Sequence, residues 1–289
     1  MLRAFLPLLV GVALGALPAA DSKILLHVDR SSDGDLEVGG ELAGLPPGSS
    51  RFIRYEDLLR LAQETYTVSD DSNFPPNTKI EGVSLEALAH LIGKAPKDLL
   101  IVAICYDKYR ANYPPDYLAT HHPLLVLRIN GQPREHWPPS EYGGSMKPYL
   151  ISHPFFRPAF KVLSHEDEPQ VPFGVVRIEL RTESEVFGAI RPGANGRENE
   201  QVQEGFIIAR QDCFRCHNMG AEGGTMAGRT WSKLAQIAND DGRRFRQIIR
   251  NPASAASNAK MPAHAGYDDA TLNALTAYFK TFAAEGETR

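Results

Sequence analysis

The sequence contains little cysteine: Cys105, Cys213 and Cys216 are the three cysteines in a chain of 289 residues. Three thiols are too few for a disulfide-stapled scaffold, and an odd number leaves at least one without an intrachain disulfide partner. The chain also lacks an excess of one charge. A net charge of −4 and a pI of about 6.1 give no reason to expect a nucleic acid as partner. Charged residues make up 23% and hydrophobic residues 43%, which argues against a disordered or fibrous chain.

Long hydrophobic runs are also lacking, with one exception at the N-terminus. Residues 1–20 combine a positive residue, Arg3, with an apolar stretch from Ala4 to about Leu17 and small residues after it. This pattern predicts a secretory signal peptide. The apolar stretch is shorter than the roughly 20 residues that span a bilayer, and a retained N-terminal anchor is the alternative. We therefore expect an exported, periplasmic protein with no membrane span in the mature chain.

Residues 21–182 alternate strand-like and helix-like segments, which predicts one α+β domain. Ser84 is a typical N-cap for a short helix that Gly93 would end, and Asn130-Gly131 is typical of a hairpin turn. The predicted strands are Leu36–Leu42, Leu99–Cys105, Pro123–Ile129 and Phe173–Leu180, and the predicted helices are Arg54–Gln63 and Leu85–Ile92.

The composition changes after residue 182. Residues 183–200 are polar, contain Pro192, Gly193 and Gly196, and have the composition of a linker. Residues 201–289 have a helical pattern interrupted by glycine-rich loops, which predicts an all-α second domain.

The chemistry of the second domain is indicated by the CxxCH motif Cys213-Phe214-Arg215-Cys216-His217. Two thiols in one turn can add to the two vinyl groups of a porphyrin, and the following His217 can then bind the iron. A local disulfide, a thioredoxin-like redox pair and half of a zinc site are the alternatives. The helical context disfavours the redox pair, and zinc would need a second pair of ligands that the sequence does not supply.

A haem in an electron carrier needs a second axial ligand, usually Met or His. Met261 lies 44 positions after His217, which leaves room for an intervening helix. Pro262 restricts the backbone of Met261 to extended conformations, as suits a ligand loop. We predict Met261 as the ligand, with His264 as the second choice, and core packing for Met219 and Met226.

Residues 200–285 resemble a class I, mono-haem cytochrome c domain. Gly205 stands eight positions before Cys213, where such domains carry a glycine on their first helix, and residues 275–280 resemble their last helix, whose aromatic residue crosses that glycine. The resemblance implies one covalent haem c and a redox protein as partner. It makes Arg229, Trp231 and Pro252 candidate residues of the haem pocket.

The order of segments in residues 35–182 resembles the sulfite-oxidase-type molybdopterin-binding fold. The segments that carry the resemblance are Leu36–Leu42, Tyr55–Leu59, Lys79–Leu85, Val102–Arg110 and Leu124–Pro133, followed by Tyr142-Gly143-Gly144. That family has a molybdenum-ligating cysteine before the Gly-Val-x-Leu element. The corresponding interval, Glu64 to Phe74, contains no cysteine, so we do not expect molybdopterin.

The sequence thus favours an exported c-type cytochrome over an enzyme. The enzymatic alternative is a molybdopterin-dependent, sulfite dehydrogenase-like oxidoreductase that passes electrons to its own haem, and a small-molecule sensor is a third hypothesis. Cys105 is left over from the haem motif; a buried, unreactive thiol at the end of a strand is favoured over a reactive thiol near Lys108 or Arg110.

Overall fold

The computed structural model describes residues 24–68, 73–93, 98–140 and 144–282. The predicted signal peptide, residues 69–72 of the interval without cysteine, and Tyr142 and Gly143 lie outside this range. Within the described residues, no helix has the length and apolar character needed to cross a bilayer. The chain forms a sheet-rich region up to about residue 182 and a helical region from residue 200. The contact surface between them is called the seam below; it includes Lys108, Arg110 and Arg181 on one side and Glu222 and Thr225 on the other.

Twelve strands and nine α-helices are found in the described residues, along with four short 3-10 helices. The strands are β1 (Leu36–Gly40), β2 (Ser50–Ile53), β3 (Glu64–Thr67), β4 (Lys79–Ser84), β5 (Leu99–Cys105), β6 (Arg110–Tyr113), β7 (Leu124–Ile129), β8 (Gln132–Pro133), β9 (Tyr149–Ser152), β10 (Lys161–Val162), β11 (His165–Glu166) and β12 (Phe173–Thr182). The α-helices are α1 (Tyr55–Leu58), α2 (Leu85–Ile92), α3 (Pro115–His121), α4 (Glu183–Phe187), α5 (Ala194–Arg197), α6 (Glu200–Asp212), α7 (Trp231–Asp240), α8 (Gly242–Arg250) and α9 (Asp269–Lys280). The 3-10 helices are Arg134–His136, Gly188–Ile190, Cys213–Arg215 and Pro252–Ser254.

The strands other than β10 and β11 form one mixed sheet in the order β2-β1-β12-β9-β7-β4-β3, with β5 and β6 joined to β12 and β8 joined to β7. β1 pairs in parallel with β12, whereas the other pairs are antiparallel. The Asn130-Gly131 turn joins β7 to β8, and both residues have the positive φ (51° and 73°) that such a turn requires. The predicted turn is confirmed.

Helix α2 begins and ends where the sequence predicts, because the Ser84 side chain accepts a hydrogen bond from the Ala87 amide and Gly93 is the C-cap. The helix predicted over Arg54–Gln63 is wrong in length, since α1 ends at Leu58. The Gln63 side chain donates to the carbonyls of Leu58 and Leu61, and a longer helix would need the Leu58 carbonyl for its own ladder. β3 begins at once afterwards.

Strand β5 is buried on both faces, which explains its continuous apolar sequence. Ile101 and Ala103 pack into the core of the sheet-rich region. Leu100 and Val102 point the other way and belong to a second core, which they share with residues of the helical region such as Phe214 and Tyr278. The two regions are therefore joined by a common hydrophobic core rather than by the chain alone.

The segment predicted as a linker contains α4, a 3-10 turn and α5. Thr182 and Glu185 form a reciprocal capping box at the start of α4. Phe187 and Ile190 are buried in the shared core, and the Ile190 carbonyl accepts a hydrogen bond of 2.6 Å from the Tyr278 hydroxyl. A few large apolar side chains in an otherwise polar segment are enough to fix it to the surface of the helical region.

Candidate functional site

The CxxCH motif lies where α6 ends. α6 runs to Asp212, and a 3-10 turn over Cys213–Arg215 follows it directly. The amides of Cys216 and His217 both donate to the Cys213 carbonyl, at 3.2 and 2.9 Å. This tight turn places both thiols and the imidazole on the wall of one cavity. The spacing of the motif therefore produces the clustering that a covalent porphyrin attachment needs.

His217 is held in one orientation. Its side chain is 7% exposed, and Nδ1 lies 2.7 Å from the Arg229 carbonyl oxygen. A carbonyl only accepts, so Nδ1 carries the hydrogen and Nε2 keeps its lone pair. Burial lowers the pKa of His217, although the hydrogen bond to Arg229 acts in the opposite direction. A neutral imidazole with one nitrogen anchored on a carbonyl is the usual arrangement of a metal-binding histidine.

The cavity beside His217 has a volume of about 960 Å³. Met261 and His264, the two candidates for the second ligand, both line it. Neither Met219 nor Met226 is among the described residues on the wall. Met219 packs against the shared core and accepts a contact from the Ser232 hydroxyl. Met226 is 41% exposed, so the prediction that it packs in the core is wrong. The apolar part of the wall comes from α7, α8 and α9: Leu234, Ile237, Phe245, Ile248, Ile249 and Phe279.

The three residues proposed for the haem pocket have different positions. Arg229 lines the cavity with an exposed side chain, and its carbonyl is the partner of His217. Trp231 is fully buried in the shared core, 5.3 Å from the Phe214 ring in an edge-on arrangement. Pro252 is buried at the start of a 3-10 turn. The structure does not place Trp231 or Pro252 among the described residues that line the cavity.

Arg215 is a residue of the site that the sequence did not single out. It is 9% exposed, lines the cavity, and its Nε and Nη2 atoms have no hydrogen-bond partner in the described structure. Its nearest carboxylates are Asp212, at 3.8 Å, and Glu168, at 4.0 Å. A buried guanidinium with spare donors fits an anionic ligand group. Arg215 occupies a variable position of the motif, so the spacing gave no signal for it.

The residues present fit a haem. The cavity offers two thiols in one turn, a histidine whose free nitrogen is Nε2, a methionine and an apolar wall. The spare donors of Arg215 suit the carboxylate groups that a haem carries. The thiols, the imidazole and the thioether favour a haem iron over a hydrated cation, because hard cations prefer oxygen ligands.

Helices α6 and α9 cross at Gly205, as the resemblance implies. A Cβ atom at Gly205 would lie 2.1 Å from the Ala274 carbonyl oxygen and 2.7 Å from the Tyr278 Cβ. Only glycine allows the two backbones to approach this closely. The prediction of a glycine–aromatic helix crossing is confirmed.

Comparison with protein-family models agrees with this geometry. Residues 200–279 match the model described as cytochrome C oxidase, cbb3-type, subunit III. The C-terminal region is a cytochrome c domain. Its match includes α6, the CxxCH motif, the part of the cavity wall that the helical region supplies and nearly all of α9. The mixed, sheet-rich region precedes the cytochrome c domain in the chain.

Among solved structures, the chain is similar to the sulfane dehydrogenase SoxCD from Paracoccus pantotrophus, with 14% sequence identity and a TM-score of 0.35. The aligned part covers 54% of this chain and 41% of that one. A search of curated proteins gives no match.

The sheet-rich region contacts the cytochrome c domain beside the turn that carries the CxxCH motif. The Thr225 amide donates to the Lys108 carbonyl, and Glu222 pairs with Arg110 and Arg181 at 3.2 and 3.0 Å. Tyr109 from the same loop lines the cavity. Sequence reasoning missed Tyr109 because a contact between distant segments leaves no local pattern.

Cys105 lies at the end of β5, where the chain enters this loop. Its side chain is 2% exposed, and burial, with smaller effects of Asp107 and Cys216, raises the pKa of the thiol. A thiol with a raised pKa and no exposure is a poor nucleophile. The geometry therefore agrees with an unreactive, buried cysteine.

Proposed function

We propose that this protein is an exported, periplasmic c-type cytochrome that carries one covalent haem c and passes single electrons to or from a protein partner. The cytochrome c domain itself implies haem and a redox partner. The main support for the proposal is that Cys213, Cys216, His217 and Met261 all line one cavity. We do not propose molybdopterin for the sheet-rich region, since residues 64–74 supply no thiol ligand.

The residues of this chain would each contribute to electron transfer. Cys213 and Cys216 would hold the porphyrin through thioethers, and His217 Nε2 and Met261 Sδ would bind the iron. The bound haem would supply an iron that changes reversibly between ferrous and ferric states. With His217 and Met261 both bound to the iron, no site would stay open for oxygen chemistry, and a Met ligand would favour a high reduction potential.

The walls of the cavity would tune that potential. The apolar side chains of α7, α8 and α9 exclude water, which disfavours the more positive ferric state. Arg215 would balance anionic haem carboxylates, and the Arg229 carbonyl keeps His217 oriented. The sheet-rich region would position the attachment turn through Lys108 and Tyr109 and would offer the surface on which a partner docks.

Metal analysis of the purified holoprotein tests the proposal. We expect about one iron per chain, bound through a haem that stays with the polypeptide after denaturation, and no molybdenum. Stoichiometric molybdenum would favour the oxidoreductase alternative. A protein expressed with a haem-attachment system but purified without covalent haem would contradict the proposal.

Replacement of the second ligand tests Met261 directly. In Met261→Ala the ferric spectrum should lose the signature of a sulfur ligand and the reduction potential should fall, because a ligand that favours ferrous iron is removed. His264→Ala, on the same cavity wall, is the matched control and should keep the native spectrum. The reverse result, a changed spectrum in His264→Ala alone, would assign the ligand to His264.

A further inference from the structure

A series of hydrogen bonds between buried and half-buried side chains crosses the seam and ends beside the haem cavity. In the sheet-rich region, His121 Nε2 lies 2.8 Å from Asp167 Oδ2, and the side chains are 2% and 1% exposed. From the cytochrome c domain, Gln211 Nε2 donates to Asp167 Oδ1 at 2.5 Å. Gln211 Oε1 then lies 2.6 Å from His165 Nε2.

The far end of this series is a compact cluster of three side chains. His165 Nδ1 lies 2.8 Å from the Tyr267 hydroxyl and 3.3 Å from Asp212 Oδ2, and the Tyr267 hydroxyl also contacts Asp212 Oδ2. His165 is 0%, Tyr267 8% and the Asp212 side chain 6% exposed. Asp212 lines the haem cavity, directly precedes Cys213, and its Oδ1 is buried without a hydrogen-bond partner.

The directions of the hydrogen bonds are fixed from the Asp167 end. A carboxylate only accepts, so Gln211 must turn its NH₂ group to Asp167 and its oxygen to His165. His165 therefore carries a hydrogen on Nε2. The only open question is whether Nδ1 carries a second one.

The contacts of the cluster are complete when that second hydrogen is present. Burial and the neighbouring Asp212 raise the pKa of Tyr267, so the phenol keeps its proton. If Tyr267 donates to Asp212, its oxygen can accept from His165 only when Nδ1 is protonated. Without that proton, the Tyr267 hydroxyl can donate its one hydrogen to His165 or to Asp212 but not to both. One of the two contacts then has no hydrogen. The cluster therefore has a place for one exchangeable proton.

A metal ion does not fit the same residues. One atom each of His165, Glu168 and Asp212 lies within 4.8 Å of the others, as in a metal site. Both ring nitrogens of His165 are already engaged, however, by Gln211 and by the Tyr267–Asp212 pair. A ligand imidazole needs a free lone pair, so proton binding is the function that the contacts allow.

The charged surroundings come from every element packed against the cluster. Glu168 follows β11, and burial, with the charge of Asp212, raises its pKa. Arg215 lies 3.8 Å from Asp212, on the turn that follows α6. The titratable and charged groups around His165 come from four parts of the molecule. They are Asp167 and Glu168 from its own segment, Asp212 and Arg215 from α6 and the following turn, His264 and Tyr267 from the loop before α9, and His121, which is hydrogen-bonded to Asp167.

We propose that His165 and Asp212, bridged by Tyr267, share one exchangeable proton that binds more tightly when the haem is reduced than when the haem is oxidised. The inference rests on the proposed function. One electron comes from the protein partner and converts ferric to ferrous iron, one proton comes from solvent and binds the cluster, and no covalent bond is broken. The proton can reach the cluster through an open cavity of about 720 Å³ that Ser164, Glu168 and Tyr267 line.

The coupling is electrostatic in origin, because ferric iron carries one more positive charge than ferrous iron and repels a proton on the cluster. A proton and an iron charge whose mutual repulsion is worth about one pKa unit change each other's binding constant roughly tenfold. The reduction equilibrium should therefore change roughly tenfold across the pH range in which the cluster titrates, which is about 59 mV for one electron.

Spectroelectrochemical titration of the holoprotein between pH 5 and 9 tests the proposal, together with proton uptake on reduction measured by an indicator dye. We expect the potential to fall as pH rises and each reduction to take up a fraction of a proton at intermediate pH. His165→Gln should remove most of both effects. Tyr267→Phe keeps the ring and removes the bridging hydroxyl, so it should weaken both effects and serves as a second variant if His165→Gln folds poorly.

His27→Gln is the matched control, because His27 pairs with Asp57 at 2.9 Å in the sheet-rich region and does not line the haem cavity. It should leave the pH dependence unchanged. Two results overturn the inference and leave the proposed function standing. The first is a reversible haem whose potential does not depend on pH. The second is a pH dependence that is as strong in the His165→Gln and Tyr267→Phe variants as in the unaltered protein. Absence of a reversible haem would instead refute the proposed function.

Discussion

Replacing Gly205 with Ala perturbs the crossing on which the cytochrome c domain is built. The new Cβ would lie 2.1 Å from the Ala274 carbonyl oxygen and 2.7 Å from the Tyr278 Cβ. Ordinary contacts begin near 3.4 Å, so α6 and α9 would have to separate by about 1 Å. The carbonyl is backbone and cannot turn away, so the whole helix must move.

The expected cost follows from two opposing effects. Overpacking of a close-packed site costs about 1–3 kcal/mol, and a backbone clash belongs at the upper end of that range. Alanine regains up to about 1 kcal/mol of helix propensity over glycine. A net loss of about 2 kcal/mol should lower the Tm by about 4–8 °C in a chain of this size.

Thermal unfolding of the holoprotein, followed by far-ultraviolet circular dichroism, measures this loss. Gly188→Ala is the matched control, because Gly188 has helical angles (φ −54°, ψ −45°) and a Cβ there would meet nothing within 4 Å. That variant should have an unchanged or slightly raised Tm. A Tm for Gly205→Ala equal to that of Gly188→Ala would show that the two helices do not cross closely at Gly205.

Three further results are expected. Cys105 should resist a thiol reagent in the folded holoprotein and react as one thiol per chain after denaturation, since burial raises its pKa. Glu222→Gln should lower the free energy of unfolding, measured with urea, by about 1 kcal/mol, because the carboxylate pairs with Arg110 and Arg181 at the seam. Burial lowers the pKa of His153 to about 3. The unfolded chain therefore binds this proton first, and stability falls as pH drops from about 6.5 towards 3. In His153→Phe the Tm should depend less on pH between 6 and 4, and an unchanged slope would contradict this reasoning.

Local chemistry was readable from the sequence, and the structure agrees with it where the signal is short-range. The Ser84 cap, the Asn130-Gly131 turn and the spacing from Cys213 to His217 each depend on neighbours within a few residues. Met261 lies far from His217 in sequence, yet its position before a proline and a separation that leaves room for a helix predict it as a ligand, and it lies on the cavity wall.

The contacts across the seam could not be predicted, because they depend on how two distant segments meet. The continuous apolar run of β5 indicated a buried strand but not that Leu100 and Val102 would pack against the cytochrome c domain. The polar composition of residues 183–200 gives no indication that Phe187 and Ile190 attach this segment to the shared core. Trp231 was considered for the haem pocket, and the structure places it in the shared core, where its ring contacts other aromatic rings.

The shared core limits how the haem can exchange electrons. An electron carrier on a flexible tether searches space for its acceptor and donor, and its range is set by the length of the tether. Separation of the two regions would break the shared core, because Leu100, Phe187 and Ile190 would lose contacts there. It would also expose a large apolar surface. The haem would therefore stay in one place on the protein, and partners would have to come to it at the faces that the sheet leaves open.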